Sequence, residues 1–382
     1  MVDFSKAFNR QNHGILITKL SEMGVPGWLL RIVIGFLKDR KMYVRYKGKH
    51  SSVKSLPGGG PQGTLLGLLL FIILINDVGF TGQVNNAGEL ITSKRNMKNI
   101  NEIHLKYVDD LTLAEAINLP TKLVSVPEEV RPMPDMYHAR TGHVMPDQEV
   151  HSRVLQQLRR TKQYADENEM KINFKKTKMM LFNPCTSIDY LPQFAFDDQE
   201  LEVVEEMRVL GITITSDMKW ATNTHKMVTR ANKKLWVLRR LKNSGVKQDD
   251  RVDIYCKQVR CLLEFAVPAW HGGINLDDQI DIERIQKSAC HIILGDSYSS
   301  YKNALKTLCL DSLSVRRNGL CLKFAKKAEK HPKHSKWFKP NDNDVNTRQT
   351  KTKYKEVLAK HSRLQKSPLS FLTDMLNDNY KK

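Results

Sequence analysis

No CxxC pair occurs in the sequence, and its six cysteines, at positions 185, 256, 261, 290, 309 and 321, are scattered. Such spacing supports neither a disulfide framework nor a zinc finger, and it fits a reducing, intracellular compartment, nucleus or cytoplasm. His138, His143 and His151 lie in or beside a proline-rich stretch with no cysteine near, so a zinc site is not indicated there either. Long hydrophobic runs are also missing. The longest, 65–75, falls well short of the ~20 residues that a bilayer-spanning helix needs. There is no signal-peptide core and no lipidation motif, so a membrane partner is not expected. Acid is scarce: 41 Asp and Glu stand against 61 Lys and Arg, a formal charge of +20. Many cations can neutralise phosphates and release condensed counterions, which makes nucleic acid the leading partner class.

What is present describes a folded protein. With 41% apolar and 27% charged residues over 382 positions, the chain can bury a core and hold two or three domains. Apolar residues recur at helical spacing over 12–37 in two bursts broken at Gly24-Val25-Pro26-Gly27, which predicts two helices joined by a tight turn. Alternation at Met42, Val44 and Tyr46 predicts a half-buried strand pair turning at Lys47-Gly48-Lys49. A PGGGPQG stretch leads into the apolar run 65–75, read as a buried helix, and 102–115 reads as a hairpin with Asp109-Asp110 at its turn. Prolines at 120, 127, 132, 134 and 146 mark a loop or insertion over about 118–150. Helical periodicity resumes over 150–168. From about residue 220 the signal is nearly all helix: 222–243, 248–266, 277–295, 299–309 and 313–330. The last stretch, 331–382, reads as a basic, mobile tail with one short helix.

Five short motifs follow one another along this framework. They are Asp3-Phe4-Ser5-Lys6-Ala7-Phe8, Gly60-Pro61-Gln62-Gly63-Thr64, Tyr107-Val108-Asp109-Asp110, the run 171–178 (KINFKKTK), and Val209-Leu210-Gly211. Each alone is weak, since a DD pair is usually a solvated turn and a glycine-rich stretch usually just a turn. In this order and spacing they resemble motifs A to E of reverse transcriptases, in the style of non-LTR (LINE, jockey-like) retrotransposons. The resemblance continues through the helical segment to about residue 330.

That resemblance implies an α+β fold: a polymerase-type palm, an antiparallel sheet with packed helices, over 1–216, then an all-α thumb and C-terminal region over 217–330. Only two residues precede Asp3, so it also implies an N-terminally truncated enzyme without fingers, whose Asp3 strand is too short to pair stably. The implied activity is RNA-directed DNA polymerisation, adding dNTPs to a DNA primer on an RNA template. Joining a primer 3′-oxygen to an α-phosphate calls for two divalent ions, magnesium or in its place manganese, held by a few carboxylates on adjoining strands. By resemblance the metal ligands are Asp3, Asp109, Asp110 and the Phe4 backbone carbonyl, with Lys176 as the proton donor to pyrophosphate. Phe8 would exclude a ribose 2′-hydroxyl, Gln62 and Gly63 would contact the nucleotide, and Leu210 and Gly211 would form the primer grip. Segment 219–242 holds eight cations and no acid; its Lys226, Arg230, Lys233 and Lys234 are the candidate contacts to the nucleic-acid backbone. Asn9 and Leu68 depart from the family pattern, which usually has Asp and Pro there. The alternative reading is a catalytically inactive, nucleic-acid-binding remnant of such an element. Nothing in the sequence points to a protein partner.

Overall fold

In the computed structural model, the described residues are 1–56, 58–61, 63–77, 102–107, 110–115, 153–182, 195–196, 199–341, 352–357 and 365–380. The proline-rich stretch 118–150 lies outside them. The chain divides into two compact units, Met1–Val204 and Glu205–Lys382.

The first unit mixes helix and sheet. Helix α1 (His13–Glu22) starts where the Asn12 side chain accepts the Ile15 N–H, and α2 (Gly27–Leu37) follows the expected turn, with Gly24 in the left-handed region. Four two-residue strands come next: β1 (Lys41–Met42), β2 (Arg45–Tyr46), β3 (Lys49–His50) and β4 (Lys54–Ser55), paired β1 with β4 and β2 with β3. They form the predicted ribbon, but all eight residues are exposed, not alternately buried, because β1–β4 pair only with one another.

Helix α3 (Leu65–Leu74) is capped by Thr64, whose hydroxyl accepts the Gly67 N–H. It was expected to be buried; Gly67, Leu70, Phe71 and Leu74 are, with Leu66 and Ile73 partly so, while Leu65, Leu68, Leu69 and Ile72 face outward. A helix buries only the stripe that meets a neighbour, here α1. Strands β5 (Glu102–Tyr107) and β6 (Asp110–Glu115) form the expected hairpin, and α4 (Arg153–Glu167) packs on β6. Beyond them lie β7 (Lys178–Met179), β8 (Ala195–Phe196), β9 (Gln199–Glu200) and β10 (Glu202–Val203). One pairing departs from the all-antiparallel expectation: β7 and β10 run parallel, as the long connection between them permits.

A buried core of Val2, Phe4, Leu16, Leu20, Phe71, Leu111 and Tyr164, among others, joins these elements. Lys19 fastens its edge: the ammonium donates to both carboxylate oxygens of Asp77 at 2.9 Å, to the Leu74 carbonyl at 3.0 Å and to the Tyr164 hydroxyl at 2.9 Å. Burial, with the Asp77 charge beside it, pushes the Tyr164 phenol far above its ordinary pKa, so it stays a neutral donor.

The second unit opens with a hairpin, β11 (Glu206–Val209) and β12 (Ile212–Thr215), and is otherwise helical. The boundary expected at 216 falls instead after Val204: the hairpin joins the helices, and the Asn223 side chain accepts the Thr213 N–H at 3.0 Å. The helices are α5 (Ala221–Asn243), α6 (Gln248–Tyr255), α7 (Cys261–Leu263), α8 (Val267–Trp270), α9 (Leu276–Leu294), α10 (Tyr301–Thr307), α11 (Leu313–Lys330) and α12 (Pro368–Tyr380). A capping box of Asn275 and Asp278 starts α9. At the centre the Tyr255 hydroxyl donates to Gln286, which donates in turn to the Tyr301 hydroxyl and the Asp311 carbonyl. Burial raises the Cys290 thiol to about 11 and the Cys321 thiol to about 12, so both behave as small apolar residues.

The expected mobile tail is different in the structure. Phe338, Tyr354, Leu372 and Leu376 are buried in the helical core, and Phe371 of α12 packs edge-on against His271. Few apolar residues were visible there because they are spread among Lys, Asn and Pro, but each reaches a partner set by distant helices. Among the described residues no helix is long and apolar enough to cross a membrane.

Candidate active site

Segment 1–5 threads between two neighbours. On one side Val2 and Leu111 exchange both backbone hydrogen bonds, N–H to O distances of 2.7 and 3.5 Å, in an antiparallel bridge. On the other, Phe4 bridges Ile172, the Asn173 N–H reaches the Asp3 carbonyl at 2.7 Å, and the Ser5 N–H reaches the Lys171 carbonyl at 2.7 Å. The Asp3 N–H adds a longer bond, 3.4 Å, to the Thr177 hydroxyl. The expectation that so short a strand could not pair is therefore corrected. Pairing on both edges, with Val2 and Phe4 at 3% and 6% exposure, supplies the cooperativity that length does not.

Register then decides what faces what. One residue beyond the Val2–Leu111 bridge, Asp3 stands opposite Asp110, the first residue of β6. Because Val2 and Leu111 form the hydrogen-bonded pair, Asp3 and Asp110 fall in the closer, non-hydrogen-bonded kind of antiparallel pair. Like charges at directly opposed positions of a strand pair are unfavourable in general. Asp3 is half-buried, and among the described residues its carboxylate makes no hydrogen bond or ion pair. Phe4 shares its strand. Since Phe4 faces Ile172 without exchanging hydrogen bonds, its carbonyl turns toward the side of the β5–β6 turn. Asp109 itself lies outside the described residues, as does Gln62. Among the described side chains no three metal-ligating groups converge, and of the predicted carboxylates only Asp3 belongs to that set.

The glycine-rich loop docks on the same segment. The Gly60 N–H donates to the Phe8 carbonyl at 2.7 Å and the Gly59 N–H to the Gln11 carbonyl at 2.9 Å. Gly59 has φ +80°, and a Cβ there would lie 3.0 Å from the Asn9 Cα, so any other residue would be strained. His13 and Arg40, neither singled out from sequence, hold the loop from outside through the Gly58 and Gly59 carbonyls. Their signal was invisible because their partners are backbone atoms far along the chain. Gly63 is exposed at φ +82°. The Phe8 ring stacks on Phe71 of α3, centroids 4.1 Å apart, which fixes it beside the loop.

Lys176 is exposed in the turn after Ile172, next to Thr177, whose hydroxyl meets the Asp3 backbone. Its neighbour Lys178 is occupied by an ion pair with Glu202. The structure thus brings Asp3, Phe4, Phe8, Asp110 and Lys176 into one neighbourhood of the first unit.

The remaining candidates belong to the second unit. Leu210 and Gly211 are the two-residue turn of the β11–β12 hairpin, at φ +48° and +89°. A leucine in the left-handed region costs roughly 1–2 kcal/mol, and the side chain is half exposed, so truncating it gives up little burial. Leu210→Gly should raise the melting temperature by a few degrees, about 1 kcal/mol of stability; an unchanged or lowered transition in calorimetry would contradict it. Gly211 sits against the Phe265 ring, where a Cβ would come within 2.9 Å.

On α5 the residues Met227, Ala231, Leu235 and Leu238 are buried, leaving a basic outer face. Lys233 and Lys234 are exposed, as is Arg230, while Lys226 is engaged by Glu206 at 2.6 Å. Sequence reading missed the centre of this face: Trp236, 58% exposed, with the Arg240 guanidinium 5.1 Å from its ring centroid. A tryptophan at helical spacing reads as core until the buried stripe is known to lie on the other side.

No family model matches the chain. A 77-residue stretch, 20% of the chain, is 34% identical to the RNA-directed DNA polymerase from mobile element jockey of Drosophila melanogaster. A 77-residue stretch is likewise 31% identical to the probable RNA-directed DNA polymerase from transposon BS of the same fly. Each match spans 8% of the relative's length. Over that stretch the chain is similar to these two polymerases, and it spans less than a tenth of their length.

Proposed function

We propose that this chain provides the palm and thumb of an RNA-directed DNA polymerase that transfers dNTPs to a primer 3′-hydroxyl on an RNA template. The observation that carries the reading is the register setting Asp3 opposite Asp110 across paired strands. The order of the five motifs and the partial relatives support it independently.

In this reading Asp3 and Asp110, with Asp109 and the Phe4 carbonyl, hold two magnesium ions, or manganese in their place. When bound, the metal supplies activation of the attacking oxygen and stabilisation of the leaving pyrophosphate. The chain's own groups do the rest. Phe8, fixed by Phe71, blocks a 2′-hydroxyl; Gln62 and Gly63 position the nucleotide; Lys176 delivers a proton to pyrophosphate. Leu210 and Gly211 steady the primer end, and the cations of α5 bind phosphates.

Primer extension by the purified chain on an RNA template with magnesium and dNTPs tests this directly. Extension supports the polymerase; binding without any extension would leave the inactive remnant as the better reading. The α5 role has its own test. Replacing Arg230, Lys233 and Lys234 with Gln should flatten the salt dependence of template–primer binding by about 0.7–0.9 in log–log slope per lost phosphate contact. A slope equal to that of the unmutated chain would remove α5 from the interface.

A further inference from the structure

Past the end of α11 the sequence reads Lys330-His331-Pro332-Lys333-His334-Ser335-Lys336-Trp337-Phe338-Lys339, with a lysine at every third position and a ring after each of the first three. The backbone turns with the same period: the His334 N–H donates to the His331 carbonyl at 3.0 Å and the Trp337 N–H to the His334 carbonyl at 2.9 Å. Three residues per turn superimpose side chains three apart. The rings accordingly stack in a column. His331 and His334 have centroids 4.3 Å apart at an interplanar angle of 23°, and His334 and Trp337 are 4.4 Å apart at 19°.

Phe338 anchors the segment. It is buried against Tyr354, centroids 5.6 Å apart, so the column is held from below and not by its own stacking. Trp337 is 44% exposed and His331 is also exposed. Lys330, Lys333, Lys336 and Lys339 are all exposed, and at this period they form a row beside the rings. The one acid between residues 312 and 340, Glu329, is taken up by Lys353 and Tyr354. The His331 Nδ1 accepts the Lys333 N–H at 3.2 Å, which helps to orient the ring in the column.

We propose that segment 330–339 binds single-stranded nucleic acid, stacking bases on the end of the His331–His334–Trp337 column and taking phosphates on its lysine row. A solvent-facing ring stack beside exposed ammonium groups, which form no ion pair among the described residues, matches a strand whose base faces are open. A duplex hides those faces inside its stack, and an anionic lipid surface has no planar group to offer. The site does not depend on the polymerase reading, since it shares no residue with the groups assigned there.

The test is fluorescence anisotropy of the full chain with a labelled oligo(U) RNA, with an RNA duplex, and co-sedimentation with phosphatidylserine vesicles. Trp337→Ala should weaken oligo(U) binding roughly five- to hundredfold, leave duplex binding unchanged, and keep the melting temperature because Phe338 is untouched. Trp337→Phe should restore most of the affinity. Lys333→Gln with Lys336→Gln should flatten the salt slope of oligo(U) binding by about 0.7 per contact. Oligo(U) affinity unchanged in folded Trp337→Ala, equal losses for duplex and single strand, or a loss confined to vesicles would each overturn the proposal.

Discussion

Asp3→Asn should lower magnesium-dependent primer extension by at least 10²–10³-fold, on the order found when one group stabilising transition-state charge is removed. The reason is local. The Val2–Leu111 register sets position 3 opposite position 110, and in the proposed reading a neutral amide at position 3 removes one of the carboxylates assigned to the metal ions. The substitution is nearly isosteric, and the Asp3 backbone bonds to Asn173 and Thr177 do not involve its side chain. The variant should therefore melt at or slightly above the temperature of the unmutated chain without magnesium, because a repulsion is gone. Magnesium should raise the melting temperature of the unmutated chain and raise that of Asp3→Asn less. Equal extension by both proteins would refute the assignment of Asp3.

Trp270→Ala should cost the helical unit about 3–5 kcal/mol, roughly 6–20 °C in melting temperature for a unit of that size. Trp270 is 1% exposed, and its indole N–H donates to the Phe265 carbonyl at 2.8 Å. The Phe265 ring covers Gly211 at the hairpin turn, so loss of the indole removes support beneath Leu210 and Gly211. Limited proteolysis should detect the loosened hairpin, with faster cleavage near residue 210. Trp270→Phe keeps most of the apolar volume and gives up the hydrogen bond, so it should lose less. A Trp270→Ala protein as stable as the parent would mean that this core collapses onto the vacated space.

Much of the secondary structure was legible in advance. The helices expected over 222–243, 277–295 and 313–330 are found as α5 at Ala221–Asn243, α9 at Leu276–Leu294 and α11 at Leu313–Lys330. Their caps and apolar periodicity are local signals, and local signals survive in a linear text. The β5–β6 hairpin was legible for the same reason, although Asp110, expected at the turn, is the first residue of β6 and pairs with Tyr107. Faces were not. Residues 65–75 are apolar all round, so no pattern could tell that Leu70 and Phe71 point inward while Leu65 and Leu69 do not. Nor could composition show that Phe338 and Tyr354 complete a core whose other walls lie tens of residues away.

The candidate site divides along the same line. Residue identities, their order, the strong positive charge and the helical basic run at 219–242 are properties of the chain, readable because motif chemistry and 3.6-residue periodicity need only neighbours in sequence. Whether Asp3 meets Asp110 depends on the pairing of residue 2 with residue 111, and whether Trp236 faces water depends on which stripe of α5 the other helices cover. Those are contacts between distant segments, set by burial and register, and a shift of one residue would turn every one of these side chains to the opposite face.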